Sequence, residues 1–185
     1  MPYGDLEVVC GPMFAGKTSR LIARINEWYS WDHTVGILKP EIDTRYSAEP
    51  RINAHNGDWL PADVIRWFGI GTPEPPYLAI DEAQFLTDAQ AREILGLLKL
   101  GKHIVVAGLD LNSSGEPFGP MPLFLAHADV VTKLRGTCAK CGEPSTRSQN
   151  LTPNTAEILV GGPESYEPRC ALCFTPTPPL SLIHI

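Results

Sequence analysis

The chain has 185 residues, a formal net charge of −6, 43% hydrophobic residues and 19% charged residues. That balance gives one packed domain with a small appendage and excludes a disordered chain, and an acidic pI of about 5.3 excludes a broad basic footprint for nucleic acid, leaving room only for a local basic groove. No apolar run approaches the length of a bilayer span, and "MPYGDLEVV" lacks the basic-then-apolar layout of a secretory signal. The expected compartment is the cytosol, where five cysteines read as metal ligands or core thiols rather than disulfides.

Leu6–Cys10 is a short apolar run stopped by Gly11, the pattern of a buried strand. From Lys17 the period changes: Leu21, Ile22, Ile25, Trp28 and Tyr29 recur at helical spacing. A second strand is expected over 34–39, stopped by Pro40, and the polar stretch 41–62 reads as a long loop. After Pro73, Pro75 and Pro76 comes a third strand, Tyr77–Ile80, running into Asp81 and Glu82. Thr87 and Gln90 have the spacing of a capping box. The helix they open carries Ile94, Leu95, Leu97 and Leu98 inward and ends near Gly101. Residues 104–107 are a fourth strand. Strands alternating with helices predict an α/β fold with a mostly parallel sheet covered on both faces. The expected division is an α/β unit over 1–135, a small cysteine-rich unit over 136–175 and a tail over 176–185. The last six residues, "LSLIHI", read as the translation of a transposase end sequence rather than native chain, and the prolines before them predict an unstructured tail.

Three constellations carry chemistry. Gly11-Pro12-Met13-Phe14-Ala15-Gly16-Lys17-Thr18 matches G-x-x-x-x-G-K-[ST] in full, with a strand before it and a helix after it. The glycines let backbone N–H groups approach phosphate oxygens, and the helix N-terminus adds partial positive charge. Lys17 then reaches the β- and γ-phosphates of a nucleotide, and the Thr18 hydroxyl becomes a ligand for Mg²⁺. The plainer alternative is a glycine-rich turn with a surface lysine.

Asp81 follows an apolar strand directly, the position of an acid that holds Mg²⁺. Glu82 beside it suggests a division of labour, one carboxylate on the metal and the other accepting a proton from an attacking hydroxyl or water. In an open α/β sheet ligands bind at the carboxyl ends of strands, so Cys10, Gly11, Asp81, Glu82 and Asp110 are expected to converge.

Cys138/Cys141 and Cys170/Cys173 form two C-x-x-C pairs with residues 142–169 between them. Four thiolates are the usual tetrahedral set for structural Zn²⁺; two disulfides or free thiols are the alternatives. A metal there would pin both ends of the intervening segment, which could then fold over a neighbour as a tethered loop. Cys10, the fifth cysteine, reads as a core thiol.

Together "GPMFAGKTSRLI", "DTRYS", "AIDEAQF", "VAGLD", "EPFGPMP" and the two cysteine pairs resemble, in order and spacing over roughly residues 6–174, the type II (zinc-containing cytosolic) thymidine kinases. The resemblance implies a RecA-like P-loop α/β domain with a zinc-bound lasso, usually a homotetramer in the cytoplasm. It implies ATP-dependent phosphorylation of the thymidine 5′-hydroxyl, and that of deoxyuridine, in nucleotide salvage. Glu82 matches the catalytic base, and Lys17, Asp43 and Arg45 match groups near the reacting hydroxyl and phosphates. Residues 11–18 with Asp81 and Gln84 match the ATP site, with Mg²⁺ on Thr18 and Asp81 and Zn²⁺ on the four cysteines. Met13, Phe85, Leu109, Phe118 and Ser148 match the base pocket; Val160, Gly161, Gly162 and Tyr166 match the lasso. Taken singly, Met13, Leu109 and Phe118 read as core residues rather than pocket residues, Arg45 as a solvated charge, and Tyr166 as a packing residue; only the ordered joint match reverses this. Ser113 stands where the family commonly has an aromatic, and Asn150 where a basic residue is frequent. Two other readings compete: a nucleic-acid motor, suggested by the DExx-like Asp81-Glu82-Ala83-Gln84, and a zinc-stapled binding module without activity. Length and acidic charge oppose the first, and the intact cradle and acids oppose the second.

Overall fold

The alternation of side chains along the apolar strands sorts the chain into layers. The computed structural model describes residues 3–41, 51–54, 56–65, 75–152 and 164–176. In chain order the strands are β1 (Leu6–Cys10), β2 (Val35–Pro40), β3 (Arg51–Asn53), β4 (Trp59–Pro61), β5 (Asp63–Ile65), β6 (Tyr77–Ile80), β7 (His103–Gly108), β8 (Val130–Lys133), β9 (Gly136–Thr137), β10 (Pro144–Ser145), β11 (Arg147–Asn150) and β12 (Tyr166–Arg169). The helices are α1 (Lys17–Ser30), α2 (Asp88–Leu98) and α3 (Met121–His127), with a 3-10 turn at Ala83–Phe85.

Six strands form the central sheet in the order β5-β2-β6-β7-β1-β8, and every neighbouring pair is parallel. Odd and even positions of one strand serve different cores. Val8, Leu78, Ile80, Ile104 and Val106 pack with Ala91, Ile94 and Leu98 of α2 and Met121 and Phe124 of α3. Val9, Ala79, Val105 and Ala107 face the other way, onto Leu21, Ile22, Ile25 and Trp28 of α1. Burial on both faces explains why these strands read as continuous apolar runs. Fully burying one such side chain stabilises the fold by about 1.5–3 kcal/mol.

The helix α2 starts with the expected reciprocal cap: the Gln90 N–H donates to Thr87 Oγ1 at 3.2 Å, and the Thr87 N–H donates to Gln90 Oε1 at 2.9 Å. Stretch 41–62 departs from the expectation of one long loop. It contains the hairpin β3–β4, whose Ile52 is buried with Ala54 and Ala62 in the α1-side core. Three small or isolated apolar residues in a polar stretch carry too little periodicity to announce a strand, and tertiary packing supplies the rest. The edge strands β5 and β8 and the helix α3 have no counterpart among the sequence expectations.

Beyond the sheet the chain forms two short antiparallel pairs, β9 with β10 and β11 with β12. Each C-x-x-C pair occupies a tight turn at the end of one of them. The Gly142 N–H donates to the Cys138 carbonyl at 2.9 Å, and the Cys173 N–H to the Cys170 carbonyl at 3.1 Å. The Ala139 N–H donates to the Pro168 carbonyl at 2.9 Å and joins the two pairs. No helix among the described residues is long and apolar enough to cross a membrane.

Candidate active site and metal centre

The register of the sheet puts the carboxyl ends of β1, β6 and β7 at one edge: Cys10 pairs with Gly108, and Ile80 with Val106. β7 separates the cradle strand from the acidic strand, yet the two loops meet. The Thr18 hydroxyl donates to Asp81 Oδ2 at 3.0 Å, and Asp81 is buried. A hydroxyl and a carboxylate oxygen thus sit together where a hard, oxygen-preferring dication would need them.

The cradle itself is shaped by its backbone. Gly11 has φ 141°, and a Cβ there would lie 2.5 Å from the Leu134 carbonyl oxygen, so only glycine fits between β1 and the chain leaving β8. Gly16 (φ 83°) stands at the N-cap of α1 with no side chain to accept the first N–H groups of the helix. A helix start without a side-chain cap is the arrangement that receives an anion. Lys17 is buried and folds over the loop, its ammonium donating to the Pro12 carbonyl at 2.8 Å. Phe14 holds a positive φ of 62°, a backbone state uncommon for a bulky residue. Ala15 is half-buried beside it.

Glu82 also has left-handed backbone, φ 53° and ψ 38°, and its N–H donates to Asp81 Oδ1 at 3.0 Å. Strained non-glycine residues of this kind gather at active sites. The Glu82 carboxylate accepts from Gln84 Nε2 at 2.5 Å, and Gln84 Oε1 in turn accepts the Leu109 N–H at 2.9 Å. Phe85 and Phe118 meet edge to face with ring centroids 5.6 Å apart, both half-buried, next to buried Leu109. Asp110, buried, pairs with Lys133 at 2.7 Å. Burial, reinforced by the negative charge of Asp110, pushes the Cys10 thiol up to about 11. Cys10 stays a neutral core thiol, as its place in the strand suggests.

The cysteine-rich unit reaches this edge through Ser148. Its buried Oγ accepts the Met13 N–H at 2.9 Å, across 135 positions of sequence. Tyr166 is half-buried in β12, opposite Asn150 in β11. Asn150 is buried and turns its side chain along its own strand, Oδ1 accepting the Thr152 N–H at 2.7 Å and the Thr152 hydroxyl at 3.1 Å. Ser113 lies half-buried in a turn organised by Asn112, whose Oδ1 accepts the Ser114 and Glu116 N–H groups. Asp43, Arg45, Val160, Gly161, Gly162 and residues 177–185 lie outside the described residues. Sequence reasoning missed the Lys133–Asp110 pair and the Ser148–Met13 bond, because neither partner carries a local signal for the other.

The four sulfurs of Cys138, Cys141, Cys170 and Cys173 lie within 4.8 Å of one another, with Cys141 and Cys170 3.6 Å apart. A thiolate tetrahedron with metal–sulfur bonds of about 2.3 Å has edges of about 3.8 Å, so the donor set fits a tetrahedral, thiophilic dication such as zinc. The ionisation pattern fits too. Burial opposes charge on Cys138, yet backbone donors of Cys170, Lys140 and Cys141 bring its thiol down to about 6. Hydrogen bonds to Cys141 and Cys170 hold the Cys173 thiol up at about 12. Neighbouring thiols compete for charge in this cluster, and a dication held at its centre would offset that competition.

Comparison with known proteins agrees with this geometry. The family model described as "Thymidine kinase" matches residues 4–174. The chain is 42% identical over 180 residues to a thymidine kinase of Onion yellows phytoplasma (strain OY-M), covering 90% of this chain and 85% of that protein. It is 39% identical over 181 residues to a thymidine kinase of Rhodothermus sp. (strain ITI 518), covering 96% and 84%, and 39% identical over 173 residues to one from Bacteroides thetaiotaomicron, covering 92% and 87%. A cradle and an acidic strand end joined at 3.0 Å, a four-sulfur centre, and a match along nearly the whole chain make this protein a member of the thymidine kinase family.

Proposed function

We propose that this chain transfers the γ-phosphoryl group of ATP to the 5′-hydroxyl of thymidine, and of deoxyuridine, in deoxynucleotide salvage in the cytoplasm. The observation that carries the reading is the bond between Thr18 and Asp81, which brings the phosphate loop and the acidic strand end together with Glu82 one residue away. Residues 11–18 wrap the triphosphate: N–H groups at the open start of α1 donate to phosphate oxygens, and Lys17 leaves the Pro12 carbonyl to do the same. Thr18 and Asp81 would hold Mg²⁺, which neutralises charge on the transferring phosphates. Glu82 accepts the proton of the 5′-hydroxyl as the oxygen–γ-phosphorus bond forms and the bond from γ-phosphorus to the β-bridging oxygen breaks, releasing ADP. Met13, Phe85, Leu109 and Phe118 supply apolar walls for the base, with Ser148 and Tyr166 beside them. The family resemblance assigns Val160, Gly161 and Gly162 to contacts with the base, and Asp43 and Arg45 to contacts near the reacting hydroxyl.

In this reading residues 136–175 act as a unit stapled by Zn²⁺ on Cys138, Cys141, Cys170 and Cys173, and the enzyme assembles as a homotetramer. The test is incubation of zinc-loaded protein with Mg·ATP and a panel of nucleosides, following monophosphate formation. Product with thymidine is expected, and Glu82→Gln should lose turnover by a factor of about 10² or more while still binding ATP. Absence of any nucleoside monophosphate would overturn the reading.

A further inference from the structure

We infer that Gln84 acts as a positioning residue for Glu82 rather than as a contact to the nucleotide; this rests on the reading of Glu82 as the base. Both ends of its amide are committed inside the protein. Gln84 is 2% exposed, Oε1 accepts the Leu109 N–H at 2.9 Å, and Nε2 donates to Glu82 Oε2 at 2.5 Å. The orientation of the amide is fixed by chemistry. A backbone N–H only donates, so the atom facing Leu109 is the oxygen, and the atom facing Glu82 is therefore the NH₂ group. The fold keeps space for this side chain. A Cβ on Gly108 would lie 2.8 Å from Gln84 Oε1, and one on Gly119 (φ 50°) would lie 2.1 Å from the Gln84 carbonyl oxygen.

Gln84 acts on the side chain of Glu82 where Asp81 takes its N–H: the Glu82 backbone is left-handed, and its N–H donates to Asp81 Oδ1 at 3.0 Å. A carboxylate on one short turn has rotamers that point away from the reacting hydroxyl. An amide donor locked to the end of β7 selects one of them. Leu109 lies in the apolar wall assigned to the base pocket, so one side chain ties the general base to the wall that seats the acceptor.

The test compares Gln84→Met, which keeps length and removes both polar ends, with Gln84→Glu, which keeps an acceptor for Leu109 but turns the donor into a second carboxylate. Turnover should fall about tenfold or more at neutral pH in both variants, with the Kd for ATP and the KM for thymidine changing less than about threefold. A Kd for ATP raised tenfold with kcat unchanged would overturn the inference and restore Gln84 to the nucleotide. Should either variant not fold, Glu82→Gln decides: the side-chain NH₂ resonances of Gln84 should shift when the carboxylate they face is replaced, and unmoved resonances would overturn the inference. Retained turnover in Glu82→Gln removes Glu82 as base, whereas lost turnover there with kcat unchanged in Gln84→Met removes only the positioning role.

Discussion

Ser148→Ala tests whether the cysteine-rich unit holds the phosphate loop. The substitution deletes one oxygen, the acceptor of the Met13 N–H at 2.9 Å, at a site where Ser148 is 3% and Met13 7% exposed. Alanine fills almost the same volume, so packing changes little and the cost is that of a buried donor left without an acceptor, about 1–3 kcal/mol. For a chain of this size each kcal/mol corresponds to a shift of about 2–4 °C in Tm, so the expected drop is about 2–12 °C. Differential scanning calorimetry of metal-loaded protein measures it. Because Met13 precedes the strained Phe14 in the same loop, ATP affinity should weaken along with stability, and Ser148→Thr, which keeps the hydroxyl oxygen, should restore both. An unchanged Tm with unchanged ATP affinity would refute the reasoning. A rise confined to the KM for thymidine would show that the hydroxyl serves the acceptor base and not the loop.

Gly11→Ala should be among the most damaging single changes, because a Cβ 2.5 Å from the Leu134 carbonyl and a φ of 141° cannot both be accommodated; loss of soluble protein or of ATP binding by calorimetric titration is expected. Stripping the metal with a strong chelator should make four thiols reactive towards a thiolate-directed reagent, those of Cys138, Cys141, Cys170 and Cys173, while Cys10 reacts far more slowly; readdition of zinc should protect the four again. Cys10 also predicts a pH effect. Its folded pKa of about 11 lies above the value of about 8.5 for an unfolded thiol. The stabilisation is therefore complete below about 8.5 and is lost as pH rises through about 11. Denaturant melts of wild type and Cys10→Ala between pH 8 and 11 should converge as the pH rises; a parallel pair of curves would contradict the shift.

What was legible in the sequence was local. The cradle, the acidic strand end, the Thr87–Gln90 cap and the cysteine pairs each announce themselves within a few residues, because their chemistry needs fixed short spacings. The apolar runs of β1, β6 and β7 were legible for a different reason: strands buried on both faces leave no polar interruption. Ile52 and its hairpin were not, since one buried isoleucine among Arg51, Asn53 and Asn56 has no period to detect. The Ser148–Met13 bond and the Lys133–Asp110 pair join elements distant in sequence, and a serine or lysine carries no mark of its partner. Gln84 shows the same limit from the other side. Its place in a nucleotide-binding motif was readable, but the two buried bonds that engage its amide depend on where β7 ends.

Two of the helices that flank the sheet, α1 and α2, begin in opposite ways, and the contrast explains how the loop can serve two substrates. At α2 the first N–H groups are answered from within, by Thr87 and Gln90. At α1 the cap is Gly16, which has no side chain to answer with, the arrangement in which a helix start receives phosphate. Upstream, the Met13 N–H is already given to Ser148, and a donor so engaged is not offered to the nucleotide. The loop thus divides around Phe14. Its downstream arm belongs to the start of α1 and its upstream arm is tied to β11, in the unit that the four cysteines close. Under the proposed function the downstream arm holds the donor and the upstream arm faces the acceptor. Releasing the metal should then weaken both substrates together, the donor through Met13 and the acceptor through the loss of the β11–β12 pair, and calorimetric titration of ATP into chelator-treated protein reads the first of these without any turnover.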